Sequence, residues 1–122
     1  DERRMIDTTM TKLRSLVERT GIALFLVSHL KRTSSDQNHE EGARVTLGQL
    51  RGSAAIAQLS DACIGLERDQ QSGGKQSDTT VRILKNRYSG ETGIACQLSY
   101  DLPTCKFYET QPEPEFNAAT DF

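Results

Sequence analysis

Ser28-His29, at the end of an apolar run over residues 22–27, is the first place where this sequence could do chemistry. A neutral imidazole at the carboxyl end of a strand can donate a hydrogen bond to a phosphate oxygen, and ligands of open α/β sheets sit beyond those ends. A structural histidine that caps or satisfies the core is the alternative. Lys85 and Arg87 come next. Two apart on a predicted strand, they share a face just before a glycine turn, which suits a polyphosphate, with the planar guanidinium best at bridging transferring oxygens. Charge that protects an edge strand would look the same. Arg51-Gly52, Lys31, Arg32 and Lys75 are loop or loop-flanking positions able to track a nucleic-acid backbone, or simply to be solvated. Tyr100 and Arg68 each offer a flat group on which a base can stack, against the plainer readings of strand-end packing and an exposed charge. At the very end, Asp121-Phe122 combines an aromatic ring with negative charge, which fits a basic pocket with an apolar floor.

Other patterns exclude chemistry. Gly73-Gly74-Lys75 is not a phosphate loop, because the G-x-x-x-x-G-K spacing is absent, Gln76 stands where Ser or Thr is needed, and a strand follows it. Cys63, Cys96 and Cys105 are odd in number without Cys/His metal spacing, so they read as reduced core residues and no metal site is expected. The longest apolar run is far too short to span a bilayer, and no signal segment opens the chain.

The elements that must position these residues follow from periodicity. Ile6, Met10, Leu13 and Val17 recur at intervals of four, three and four, which predicts an amphipathic helix over residues 2–19 with Gly21 as its stop. Residues 22–27 are apolar throughout and include β-branched and aromatic members, predicting a strand buried on both faces of a parallel sheet. A polar segment, 31–46, is too long for a plain connector. Ser53 can N-cap a short helix over 54–59. Strands are predicted at 61–67, 79–87, 94–100 and 105–108, with a surface loop at 68–78 and a glycine turn at 88–93.

The chain has 122 residues, enough for one modest domain, and its formal charge of -2 taken whole argues against a nucleic-acid partner. That average conceals two objects. Residues 109–122 hold four of the 17 acids and no base, leaving 13 acids against 15 bases in residues 1–108. All three prolines also fall within the last twenty residues, so an extended acidic tail follows a slightly basic body. The first residue is Asp1, not Met, which reads as a fragment or a processed product.

In order along the chain, DERRMID, LVSHLK, HEEG, LRGSAAIAQLSD, LERDQQ, VRILKNRYSGETGIA and a terminal TDF together resemble the helicase domain of the RecA-like hexameric (superfamily 4, DnaB-like) replicative helicases. The resemblance is strongest to the primase-helicases of short-tailed, T-seven-like bacteriophages, and it covers nearly the whole chain. It implies an α/β fold: the C-terminal part of a RecA-like core, with a parallel sheet, flanking helices and added antiparallel strands, truncated before the P-loop. Residues 1–108 would form that part and 109–122 an acidic disordered tail.

By the same resemblance His29 looks like the phosphate sensor and Arg87 like the arginine finger that reaches the nucleotide of a neighbouring subunit, with Lys85 assisting. Arg68 and Tyr100 match the base-sandwiching positions. Lys31, Arg32, Arg51 and Gly52 match segments that hold single-stranded DNA in a central channel. Where related phage proteins often carry more lysine after Lys31, this chain has Ser35 and Gln37, which implies a weaker salt-dependent affinity. Asp121 and Phe122 would dock on the replicative DNA polymerase.

The implied cofactor is ATP or dTTP with Mg2+, the implied assembly a homo-hexamer or heptamer without membrane contact, and the implied location the cytoplasm of an infected bacterial host. The strand-GxxxxGK[ST]-helix loop, the catalytic Glu and the Mg-binding Asp of the family have no counterpart, so the chain alone is expected to be inactive. Two alternatives stay open: a RecA-like recombinase or single-strand-binding ATPase core, and a non-enzymatic module that recruits a partner through its tail.

Overall fold

A computed structural model describes residues 2–31, 38–50, 54–73 and 77–110. The four-three-four spacing of apolar residues produces the expected amphipathic helix, α1 (Glu2–Thr20), whose inward stripe centres on the buried Met10. Gly21 ends it at φ +70, with its N–H bonded to the Val17 carbonyl at 2.9 Å. That left-handed conformation is one glycine adopts without a Cβ penalty. A short 3-10 turn (Leu47–Gln49) and α2 (Ala55–Leu59) follow, and α1 packs on α2. The residue at the N-cap of α2 is Ala54; the expected cap, Ser53, lies outside the described residues.

Four strands complete the chain: β1 (Ala62–Glu67), β2 (Thr79–Asn86), β3 (Gly93–Asp101) and β4 (Lys106–Thr110). They form one antiparallel meander in sequence order. Glu109, counted with the acidic tail from its charge, pairs opposite Leu98 within β4. The glycine turn between β2 and β3 forms as expected, with Gly90 at φ +75 and Gly93 at φ +120.

The expected parallel strand over 22–27 is not formed. Phe25 is 90 % exposed and Val27 95 % exposed, and no described strand lies beside them. An apolar run becomes a buried strand only where neighbours take up its backbone hydrogen bonds and cover both faces, and periodicity reports apolarity without reporting neighbours. The sheet that does form is therefore wholly antiparallel among the described residues. Cysteine placement also departs from expectation: all three are free, but Cys63 and Cys96 are half-buried and Cys105 is exposed at φ +57.

One face of the β1–β2 ribbon is covered by residues 43–45. Val45, only 2 % exposed, lies over Gly65, where a Cβ would come within 3.0 Å of the Val45 Cγ1 and 3.2 Å of the Leu84 Cδ1. Val45 can approach that closely because position 65 has no side chain. Beside it, Glu67 is 7 % exposed and accepts the Val45 N–H at 2.7 Å and the Arg82 Nε and Nη2 at 2.7 and 3.1 Å. Burial pushes the Glu67 carboxyl up, but the bonds from Arg82 and Val45 outweigh it and hold the group below its ordinary value.

Two outcomes follow from this carboxylate. Arg82→Ala would leave a buried charge unpaired and should cost about 3 kcal/mol in denaturant unfolding. Because the Glu67 pKa is lowered by folding, its contribution is complete above the ordinary carboxylate range and disappears as pH falls through the depressed value. Acid should therefore destabilise the wild type more than Glu67→Gln between neutral pH and pH about 3; equal losses would remove Glu67 from the acid response.

Candidate functional site

Period-two alternation would put Lys85 on the side of Ile83, away from the helices. A β-bulge prevents this. Cys63 pairs with Lys85 and Ile64 with Ile83, so Leu84 is the extra residue, and both Leu84 and Lys85 turn toward the covered face. The Lys85 ammonium consequently reaches α2, donating to the Ala57 carbonyl at 2.6 Å and the Gln58 carbonyl at 3.2 Å. Arg87, one residue past β2, donates through Nη1 to Asp61 Oδ1 at 2.8 Å and through Nη2 to the Gln58 carbonyl at 3.0 Å. Two cations thus converge on the last turn of one short helix, where the carbonyl ends of the helix attract positive charge. Lys85 is a half-buried anchor there, while 39 % of the Arg87 side chain stays exposed.

Arg68 and Tyr100 lie at the opposite end of the sheet. Arg68 follows the last β1 residue, Glu67, which pairs with Thr80; Tyr100 lies two residues beyond Leu98, which pairs with Thr79. Lys85 and Arg87 sit where Ala62 pairs with Asn86. With eight residues in β2, the two ends are about 23 Å apart at roughly 3.3 Å per residue. The Arg68 Nε donates to the Ser77 carbonyl at 3.1 Å, and the Tyr100 ring stacks at a tilt on Phe107 with centroids 5.0 Å apart. The Cys105 side chain, and then burial, push the Tyr100 phenol above its ordinary value. Both residues are exposed, as a base-stacking pair requires.

His29 is exposed as well, directly before a backbone bridge between Leu30 and Leu50. Lys31 N–H donates to the Gln49 carbonyl at 2.7 Å, and the Gln49 side chain in turn accepts the Thr46 N–H at 3.0 Å. His39, which sequence reasoning did not single out, joins its Nε2 to the Lys31 carbonyl at 3.2 Å. These bonds bring the sensor candidate and Lys31 alongside the segment leading to Arg51. A cavity of about 270 Å³ opens here, lined by Arg3, Lys31, Leu47, Leu50 and Ala57 among others. Arg32, Arg51 and Gly52, Lys75, and Asp121 and Phe122 lie outside the described residues.

Asp61 and Gln58 were also missed by sequence reasoning. Their position in LRGSAAIAQLSD was visible, but only the sheet register shows that Asp61 faces Arg87. Among the described residues no group of three His, Cys, Asp or Glu side chains could hold a metal ion. No helix among them is long and apolar enough to cross a membrane.

No family model matches the chain. It is 47 % identical over 104 residues, 85 % of its length, to the DNA helicase/primase of Enterobacteria phage T3. The match spans only 18 % of that relative. The resemblance carried by the ordered motifs is borne out, and the chain is a relative of the phage DNA helicase/primase, aligned with it over most of its own length.

Proposed function

We propose that the chain is the C-terminal part of a replicative helicase domain that couples nucleoside triphosphate hydrolysis to movement on single-stranded DNA and duplex unwinding. The observation that carries this reading is that Arg68 and Tyr100, read as base-binding, lie at the opposite end of one sheet from Arg87, read as phosphate-binding. A single bound nucleotide would have to stretch along the whole of β2 to meet both. Copies arranged in a ring resolve this: Arg68 and Tyr100 flank the base of one nucleotide, and Arg87 reaches the phosphates of the nucleotide held by the adjoining copy. The identity to a DNA helicase/primase supports the same reading.

In this mechanism the exposed part of the Arg87 fork meets charge that builds on the transferring phosphoryl oxygens, where a planar, permanently charged donor stabilises most. His29, adjoining Lys31 and Gln49 at the bridge to residue 50, senses the phosphate and passes the difference to the DNA-holding segments. Lys31, with Arg32, Arg51 and Gly52, holds the single strand by its phosphates. ATP or dTTP with Mg2+ would supply the reacting phosphoryl group. The tail ending in Asp121-Phe122 docks on the replicative DNA polymerase.

Three measurements on the full-length protein check these roles. Arg87→Ala should lower DNA-stimulated hydrolysis by about a thousandfold while nucleotide affinity stays near wild type, and normal turnover would remove Arg87 from the reaction. His29→Ala should bind DNA with an affinity that no longer changes with nucleotide state; an intact nucleotide response would end the sensor assignment. Lys31→Ala should weaken single-strand binding for all sequences and reduce the salt slope by about one, so an unchanged slope would place Lys31 away from the phosphates.

A further inference from the structure

Arg87 is fixed by a residue that nothing in its own strand supplies. It lies opposite Asp61 just beyond the β1–β2 ladder, where its backbone N–H donates to the Asp61 carbonyl at 2.8 Å. This cross-strand position brings the two side chains together, and Asp61 Oδ1 accepts the Arg87 Nη1 at 2.8 Å. The second carboxylate oxygen, Oδ2, accepts the Arg14 Nη1 from α1 at 2.9 Å, while Arg14 is also bonded to Glu18 at 3.1 Å. One carboxylate therefore serves two guanidiniums, one oxygen each.

The Arg14 hydrogen bond lowers the Asp61 pKa most, burial opposes it, and the charges of Arg14, Arg87 and Lys85 add to the lowering. The group is an anion at neutral pH, at a position where a neutral amide of the same shape would lose most of the attraction. For Arg87 the consequence is orientation. A guanidinium carries five N–H donors in a rigid fork. The bonds to Asp61 and to the Gln58 carbonyl engage two of them and leave 39 % of the side chain exposed. A long flexible side chain fixed in advance loses less freedom when it meets its target, and the geometric tolerance for transition-state interactions is narrow.

We propose that Asp61 is a positioning residue for Arg87, holding its guanidinium in the orientation from which it meets the phosphates of a nucleotide bound by a neighbouring copy. This role rests on the reading of Arg87 given above. The competing account is purely structural: Asp61 fastens α1 to the sheet through Arg14, and Arg87 is incidental.

Steady-state hydrolysis by the full-length protein on saturating single-stranded DNA separates the two. Asp61→Asn should lower kcat about tenfold with KM within about twofold of wild type, because the interaction it weakens is one Arg87 makes in the transition state. Asp61→Glu, which keeps the charge but moves it by one methylene, should fall between Asp61→Asn and wild type, and it serves in place of Asp61→Asn should that variant fail to assemble. Arg14→Gln should lower the thermal midpoint as Asp61→Asn does, yet retain kcat within about twofold. Wild-type kcat in both Asp61 variants would overturn the proposal, as would an equal loss of kcat in Arg14→Gln. Arg87→Ala assigns the failure: if it is inactive while the Asp61 variants turn over normally, only the role of Asp61 falls; if it turns over normally, the reading of Arg87 falls first.

Discussion

The carboxylate of Glu67 is the constraint on which the described fold depends. A charge that is 7 % exposed is stable in a sheet only if its lone pairs are taken, and here they are taken from two directions: by Arg82 on the adjacent strand and by the backbone of Val45 crossing above. The second bond does what the first cannot. It fixes the height at which residues 43–45 pass over β1, and at that height the Val45 side chain meets Gly65 with no space to spare. Charge and close packing are thus one feature, and the irregular segment between residue 38 and the 3-10 turn inherits its position from it.

From that fixed segment the geometry propagates both ways along the chain. Upstream, Gly42 at φ +86 sits within 3.3 Å, measured from the Cβ it lacks, of the Asp69 side chain, and Glu41 bridges to Asp69. The HEEG motif thereby abuts the residues immediately after Arg68. Downstream, the Gln49 carbonyl receives Lys31, so the end of the LVSHLK motif is pinned beside the same segment. Lys31 and Arg68 therefore share a backbone frame that no single secondary-structure element provides.

Much of this was legible in the sequence where one residue type dictates one local state. The stripe of Ile6, Met10, Leu13 and Val17 produced a helix over nearly the residues predicted, and the glycine turn at 88–93 and the flanking strands followed from φ preferences and alternation. Legibility ended where the outcome depends on a neighbour. Residues 22–27 have the composition of a buried strand, yet a strand is a relation between two segments, and Val27 at 95 % exposure shows what the same residues do beside no described partner. Arg87 and Lys85 were visible as cations; Asp61, which meets Arg87, was not, because the pairing joins residues 26 apart in the chain.

Leu84 shows how small the unreadable element can be. Strict alternation along β2 would place Lys85 with Val81 and Ile83 on the face away from α2. The one-residue slip at Leu84 shifts the pattern, so that Lys85 turns to the helix side and both cations end on carbonyls of a helix only five residues long. The same helix begins directly after the segment that contains Arg51 and Gly52. A bulge costs ladder hydrogen bonds and survives where it re-aims a side chain to some effect; here the effect is that Lys85 and Arg87 both end on carbonyls in the last turn of one short helix, which ties that helix to the end of the sheet.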